Sequence, residues 1–396
     1  MEWFNTFYNE SQTFFEAKTC GHTAYEIAHQ PLMWRALAES LTAQKETIRA
    51  FMDKMGSLRD VRIVLTGAGS SGFVGRAVAG FAAKTGGVYA EAIHTTDIVS
   101  APSTYFPTQS KDKKTLLISF ARSGNSPESD GAVRYVREMV KDLYEIAIVC
   151  DSNSKLSNTT RESDKALVLV MPEGTNDKGF AMTSSVSCMT LAGYAVLCPD
   201  QFDNICAEIP KMADCVTQQG AAIVNHAKTL AQLGYERAWY LGSGPNFALV
   251  QEGSLKMMEL TNGKVVAGYN SATEFRHGPK TVMNEKTLTV HFISPDPFTQ
   301  KYDDDLLKEL ESQRTSNWVA AVGNTSQTAQ YHLPVTTDGF THCVDMAVGM
   351  QGLVFMQLLS MFTSLHLGIT TDNPSPKGLV NRVVQGVTVY PFKGGA

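Results

Sequence analysis

The chain of 396 residues has no long basic run, no Cys-x-x-Cys pair and no uninterrupted apolar stretch of bilayer length. Each absence removes a class of function. Lys and Arg number 34 against 39 Asp and Glu, a net charge of −5, so nothing suggests an electrostatic footprint for nucleic acid. That balance still leaves room for an anionic ligand, because backbone N–H groups bind phosphate without help from Lys or Arg. The seven cysteines are odd in number and show no metal-ligand spacing. Several fall in apolar runs, as Cys150 does after Ile146 to Val149. They read as reduced and structural, which points to the cytoplasm. The opening Met-Glu-Trp-Phe-Asn lacks the basic and apolar regions of a signal peptide. The longest apolar stretch, Val344 to Phe362, is interrupted by Asp345, Gln351 and Gln357. A buried helix is expected there rather than a membrane span.

Hydrophobic residues make up 43% and charged residues 18%, a globular balance. Residues 1–55 are expected to form a helical segment, with Ile27, Leu32, Trp34, Leu37, Leu41, Ile48, Phe51 and Met55 near helical spacing. From Val61 the character changes. Short apolar runs (61–65, 115–119, 145–149, 167–170) alternate with helical stretches, the pattern of a parallel sheet covered on both faces. The second half repeats the order. Gly242-Ser-Gly244 stands 175 residues (242 − 67) after Gly67-Ala-Gly69. The same offset carries Leu117-Ile-Ser119 onto Phe292-Ile-Ser294, and an offset of 173 (320 − 147) carries Ala147 onto Ala320. This is an internal duplication. The expected layout is a first α/β domain over 56–202, a helical linker over 203–234 and a second α/β domain over 235–390.

The first copy carries the anion-binding chemistry. A strand that ends in Gly67-Ala-Gly69 and opens a helix presents free N–H groups at a positive helix end. Ser70 and Ser71 add hydroxyl donors. The next strand ends in Arg122-Ser-Gly-Asn-Ser126, a second glycine turn with Ser123 and Ser126 flanking Gly124 and Asn125. Both turns fall at the carboxyl edge of the sheet, where ligands bind. Thr183 and Ser184, opening a later helix, could add donors from the same edge. Plain helix capping is the competing reading for all these hydroxyls. Dinucleotide binding also competes, since Gly67, Gly69 and Gly72 satisfy G-x-G-x-x-G. That reading needs an acid closing the next strand, and Glu91 is the nearest candidate. The second copy's counterparts, Gly242-Ser-Gly244 and Ser294-Pro-Asp-Pro297, are poor in hydroxyls and acidic.

The second copy carries proton chemistry instead. Glu252, Lys256 and Glu259 are spaced i, i+4, i+7 and share one helix face. Such a face is either a solvated salt-bridge stripe or a catalytic one. His277 precedes the turn-forming Gly278-Pro279 and is an acid/base candidate.

Leu65 to Gly75, Ser119 to Ser129, Glu252 to Leu260 and Arg276-His-Gly-Pro279 together resemble the sugar isomerase (SIS) domain proteins. The double-SIS arrangement resembles the isomerase half of glucosamine-6-phosphate synthase, and Ser119 to Glu128 resembles the AgaS-type enzymes. The resemblance covers about residues 50 to 390. It implies two tandem SIS domains, each a five-stranded parallel sheet flanked by helices in three αβα layers, flavodoxin-like. It implies a phosphate held by Gly69, Ser70, Ser71, Arg122, Ser123, Gly124, Asn125 and Ser126, with Thr183 or Ser184. Glu259 matches the family's general base for the C2 proton, and His277 matches the histidine that helps open the sugar ring and reaches the neighbouring subunit's site. A homodimer is therefore implied. Glu252, Lys256, Lys377 and Arg382 are further substrate-side candidates. Two positions depart from the synthase pattern: Ala121 replaces a serine, and Asn381 or Gln385 falls where a Schiff-base lysine would stand. The implied activity is conversion of galactosamine 6-phosphate to tagatose 6-phosphate with release of ammonia, without metal or organic cofactor. Plain tagatose-6-phosphate ketose/aldose isomerisation, glucosamine-6-phosphate deamination and a non-catalytic sugar-phosphate regulator are the alternatives.

Overall fold

Both sheets are wholly parallel, so each strand is covered on two faces and reads as a continuous apolar run. The computed structural model describes residues 2–384 and 386–392; Gln385 lies outside them. The first sheet contains β1 (Arg62–Thr66), β2 (Glu91–Ala92), β3 (Thr115–Ala121), β4 (Leu143–Val149) and β5 (Ala166–Val170). Their order is β2-β1-β3-β4-β5. The second sheet contains β6 (Arg237–Leu241), β7 (Val266–Asn270), β8 (Thr287–Phe292), β9 (Trp318–Val322) and β10 (Tyr331–Leu333), in the order β7-β6-β8-β9-β10. The same winding thus occurs twice, which is the expected α/β architecture.

Register corrects one part of the duplication. Arg62 pairs with Thr115, and Arg237 pairs with Thr287. With Arg62 and Arg237 equivalent, Thr115 corresponds to Thr287 at an offset of 172 (287 − 115). Ser119 therefore corresponds to His291, not to Ser294. Tyr144 likewise corresponds to Trp318 at an offset of 174 (318 − 144), which carries Ala147 onto Ala321 rather than Ala320. The connections between strands changed length, so a constant offset slips even where the strands match.

The chain divides into two compact units, each assembled from three stretches. The first-sheet unit comprises Met33–Asp177, Ser184–Ala207 and the chain from Val380. The second-sheet unit comprises the chain up to Leu32, Lys178–Thr183 and Glu208–Leu379. The stretch expected as a linker is one helix, Phe202–Ala231.

In the first-sheet unit, Val64, Leu117, Ala147 and Val149 pack with Ala132, Val133 and Val136 of the helix Pro127–Met139. Alternation along the strand sends neighbouring side chains to the other face. There Gly193 of the fully buried helix Ser184–Leu197 lies against the Phe120 ring. In the second-sheet unit, Leu241, Ile293, Val319 and Ala321 pack with Leu306, Leu307 and Leu310 of the helix Pro297–Ser312. The opposite face is covered by Phe247–Leu260 and by Val344–His366, where Gly352 meets Phe292. Val344–His366 is long and apolar enough to cross a membrane, and its most apolar window is fully buried inside the protein. It is a core helix, as Asp345, Gln351 and Gln357 suggested.

Candidate active site

The two serine-bearing glycine turns follow neighbouring strands. Thr66 pairs with Ser119, so β1 and β3 deliver their turns side by side. The helix after β1 begins at Ser70, three residues earlier than apolar spacing suggests, which puts buried Ser70 and Ser71 in its first turn. Gly69 precedes it with φ +54°, a backbone that favours glycine. At Gly67 a Cβ would lie 2.5 Å from the Ser71 carbonyl carbon, so only glycine lets the helix close on the strand end. After β3, Arg122 to Asn125 form the second turn, with Gly124 at φ +61° and Ser126 at the N-cap of Pro127–Met139. Asn125 braces the turn, its Oδ1 accepting from the Lys155 N–H at 3.1 Å. The Ser126 and Ser129 hydroxyls are 2.8 Å apart.

Neither of these helix starts carries a side-chain cap. Other helix starts hold an internal carboxylate. Asp296 accepts from the N–H groups of Phe298 and Thr299. Glu208 accepts from the N–H groups of Thr341, His342 and Cys343, before the helix Val344–His366. Asp372 accepts from those of His22 and Thr23 at the start of Gly21–Ala28. In the second copy's turns, Asp303 accepts from the Ser243 hydroxyl at 2.7 Å and the Ser294 N–H at 2.9 Å. An anion is favourable at such places, and in all of these the chain supplies its own.

Ser184 does not belong with the serines of the β1 and β3 turns. Its hydroxyl donates to Asp177 Oδ1 at 2.5 Å, and its N–H to the same oxygen at 3.1 Å. A hydroxyl has one proton to give, and here an internal carboxylate takes it. Sequence reasoning missed Asp177, because nothing local marks an acid seven residues ahead of a helix as its cap. Thr183 is buried and falls in the second-sheet unit. Arg122 is buried, and its Nη2 donates to the Arg382 carbonyl at 2.7 Å. Lys377 is exposed in the turn before Val380, and Asn381 is exposed beyond it.

Glu91, the candidate ribose acid, is committed elsewhere. Its two oxygens accept from Arg62 Nε at 2.8 Å and Nη2 at 2.9 Å. That bidentate pair holds its carboxyl below the usual glutamate value despite partial burial. The dinucleotide reading loses its required acid.

In the second-sheet unit, the helix Phe247–Leu260 starts just after β6 and runs as expected. Lys256 and Glu252 are each 1% exposed, and Lys256 Nζ lies 3.4 Å from Glu252 Oε1. Lys256 also pairs with Glu259, whose side chain is 25% exposed. The three therefore form a buried cluster, not a solvated stripe, and Glu259 is its accessible carboxylate. His277 lies in the turn after the short helix Ala272–Phe275; it is exposed, and its N–H donates to the Glu274 carbonyl at 2.9 Å. Gly278 follows with φ +118°. Among the described residues no cluster of His, Cys, Asp or Glu has the arrangement of a metal site.

Comparison with known proteins defines the class. The SIS domain family matches residues 59–198. The chain is 36% identical over 390 residues to the D-galactosamine-6-phosphate deaminase AgaS of Escherichia coli, covering 97% of this chain and 99% of the relative. It is 36% identical over 373 residues to the protein of that name from Shewanella sp. strain ANA-3, covering 93% and 92%. The crystal structure of tagatose-6-phosphate ketose/aldose isomerase from Escherichia coli superposes with a TM-score of 0.85 at 34% identity, covering 94% of this chain and 97% of that one. The fold and these relatives define a double-SIS sugar-phosphate enzyme. The chain belongs to the AgaS family of sugar-phosphate isomerases and deaminases.

Proposed function

We propose that the chain converts galactosamine 6-phosphate and water to tagatose 6-phosphate and ammonia. The observation that carries this is the pairing of Thr66 with Ser119, which sets the glycine turns after β1 and β3 side by side, each opening a helix, with Ser70 and Ser71 in one and Ser123 and Ser126 in the other. Ser70, Ser71, Ser123 and Ser126, with N–H groups of Gly69, Gly124 and Asn125, hold the phosphate. Binding of that non-reacting group positions C1 and C2 of the sugar. His277 assists ring opening. Glu259 takes the C2 proton and returns one to C1, passing through an enolamine to a ketimine. Water adds to the ketimine carbon, the C–N bond breaks, and ammonia leaves with the proton it needs. Lys256 holds Glu259 in place while Glu252 balances its charge. Neither proton transfer nor hydrolysis requires a metal or organic cofactor.

Plain ketose/aldose isomerisation uses the same proton transfer without the hydrolysis, and the name of the Escherichia coli neighbour favours keeping it as the second reading. A dimer with His277 serving the partner's site is part of the proposal, as is a cytoplasmic location. The location is supported by cysteines that are all free and mostly buried, with burial pushing Cys20, Cys150, Cys198 and Cys206 up to about 12. The test is to assay hexosamine and ketose 6-phosphates, scoring ammonia and ketose separately, with Glu259→Gln alongside. Loss of turnover of about a thousandfold is expected for the variant. Unchanged turnover would remove Glu259 from the mechanism.

A further inference from the structure

Asp177 has no exposed surface and lies in the loop between β5 and the helix Ser184–Leu197. Its carboxylate accepts from both the backbone and the hydroxyl of two successive serines. Oδ1 takes the Ser184 N–H at 3.1 Å and hydroxyl at 2.5 Å; Oδ2 takes the Ser185 N–H at 3.0 Å and hydroxyl at 2.5 Å. Two N–H groups and two hydroxyls at the positive end of a 14-residue helix are the donor set a phosphate would use. Here the chain's own carboxylate occupies it. The backbone of the same residue holds a second group. Arg382 Nε donates to the Asp177 carbonyl at 2.9 Å, Nη2 donates to that carbonyl too, and Nη2 reaches Asn176 Oδ1 at 3.1 Å. The Arg382 carbonyl in turn accepts from Arg122 Nη2 at 2.7 Å. Arg122 opens the β3 turn. All these residues belong to the first-sheet unit.

We infer that Asp177 is a positioning residue for phosphate binding: pinned in the Ser184 helix start, it fixes the Asn176–Asp177 loop, the loop fixes Arg382, and Arg382 fixes Arg122 at the β3 turn. It also keeps the Ser184 donors from offering the substrate a competing anion site. This rests on the reading that the β3 turn holds the phosphate.

The experiment compares Asp177→Asn, Arg382→Ala and the double variant with the unaltered chain, measuring KM and kcat for the sugar phosphate that the unaltered chain turns over. Asn keeps the size of Asp but turns an amide donor toward two donors. KM is expected to rise about tenfold in each single variant, the effect of one charge-assisted hydrogen bond. The change in kcat should stay within about threefold, because binding and not proton transfer is disturbed. The double variant should be no worse than the worse single one, since both break the same chain of contacts. A merely structural residue would lower the melting temperature and the active fraction without moving KM. KM within twofold of the unaltered chain in either variant overturns the inference, and so do effects that multiply. If Asp177→Asn fails to fold, Arg382→Ala decides by the same criterion. An unaltered chain that turns over none of the sugar phosphates overturns the reaction, and this role with it. Normal turnover with an unmoved KM counts against Asp177 alone.

Discussion

Replacing Lys256 by Met isolates the energetics of the helix Phe247–Leu260. Lys256 and Glu252 are each 1% exposed, with Nζ 3.4 Å from Oε1. Removing the ammonium leaves the Glu252 carboxylate in a place water barely reaches. Breaking a buried pair from one side costs about 3–5 kcal/mol, because the remaining charge is uncompensated. Glu259 contributes less to that loss, since its side chain is 25% exposed and can hydrate. With a urea slope of about 3 kcal/mol per M, the unfolding midpoint falls by about 1–1.7 M. Tryptophan emission is a suitable probe. Three of the four tryptophans, Trp3, Trp239 and Trp318, lie in the same unit as the altered helix, and replacing Trp34 by Phe in every variant compared makes the signal follow that unit. The double variant Glu252→Met/Lys256→Met removes both charges and keeps the volume, and should recover most of the loss while remaining inactive. A single variant as stable as the unaltered chain, or a double variant as unstable as the single one, refutes the buried-triad argument.

Two further outcomes follow from the β1 turn. Gly67→Ala places a Cβ 2.5 Å from the Ser71 carbonyl carbon and 2.6 Å from its oxygen, so the helix start must shift. Displacing the Ser70 and Ser71 donors should raise KM for the sugar phosphate at least tenfold, and steady-state kinetics showing an unmoved KM would count against a phosphate at this turn. His94 packs against Gly72 of the same turn, and burial lowers its imidazole below the usual histidine value, with Asp97 opposing and Arg76 assisting. A depressed value means the fold favours the neutral ring, so this contribution is present above the unfolded value of 6.5 and is lost as pH falls through the folded one. Thermal unfolding between pH 7 and pH 5 should therefore show a shallower decline in His94→Gln than in the unaltered chain; equal slopes would assign the decline to other groups.

Much of this was legible in the sequence, for definable reasons. Parallel strands buried on both faces write themselves as short apolar runs, and the turns announce themselves through Gly67, Gly69 and Gly124 because backbone geometry there permits little else. The helix carrying Glu252, Lys256 and Glu259 was found at its true limits, but its charge pattern could not distinguish a wet face from a buried one. Burial is set by the packing of Phe247–Leu260 on Val344–His366, where Gly253 lies against Met356. Long-range carboxylates were invisible. Glu208 reaches Thr341 to Cys343 across more than a hundred residues, and Asp372 reaches Thr23 across 349. The repeat offset failed at β8 because side-chain similarity at the end of an apolar run is weaker evidence than ladder pairing.

The filled helix starts also explain how one winding came to serve two purposes. A Gly-x-Gly turn at the carboxyl edge of a parallel sheet gathers N–H donors whether or not a ligand exists for them. Such donors, if buried, must be satisfied. In the second copy part of the solution is internal: Asp303, with no exposed surface, accepts from the Ser243 hydroxyl of the β6 turn and from the Ser294 N–H after β8, and Asp296 caps the next helix. His291, the register counterpart of Ser119, lies 3.6 Å from Asp303 and is equally buried. A second phosphate at those turns would have to displace a buried carboxylate from donors already satisfied. Like charge and lost hydrogen bonds both oppose it. In the first copy the proposed function places the substrate phosphate at the β1 and β3 turns, while Asp177 accepts from the donors of the Ser184 helix. The proposed function thus assigns one phosphate position per chain, while in the second copy Lys256 is buried between Glu252 and Glu259.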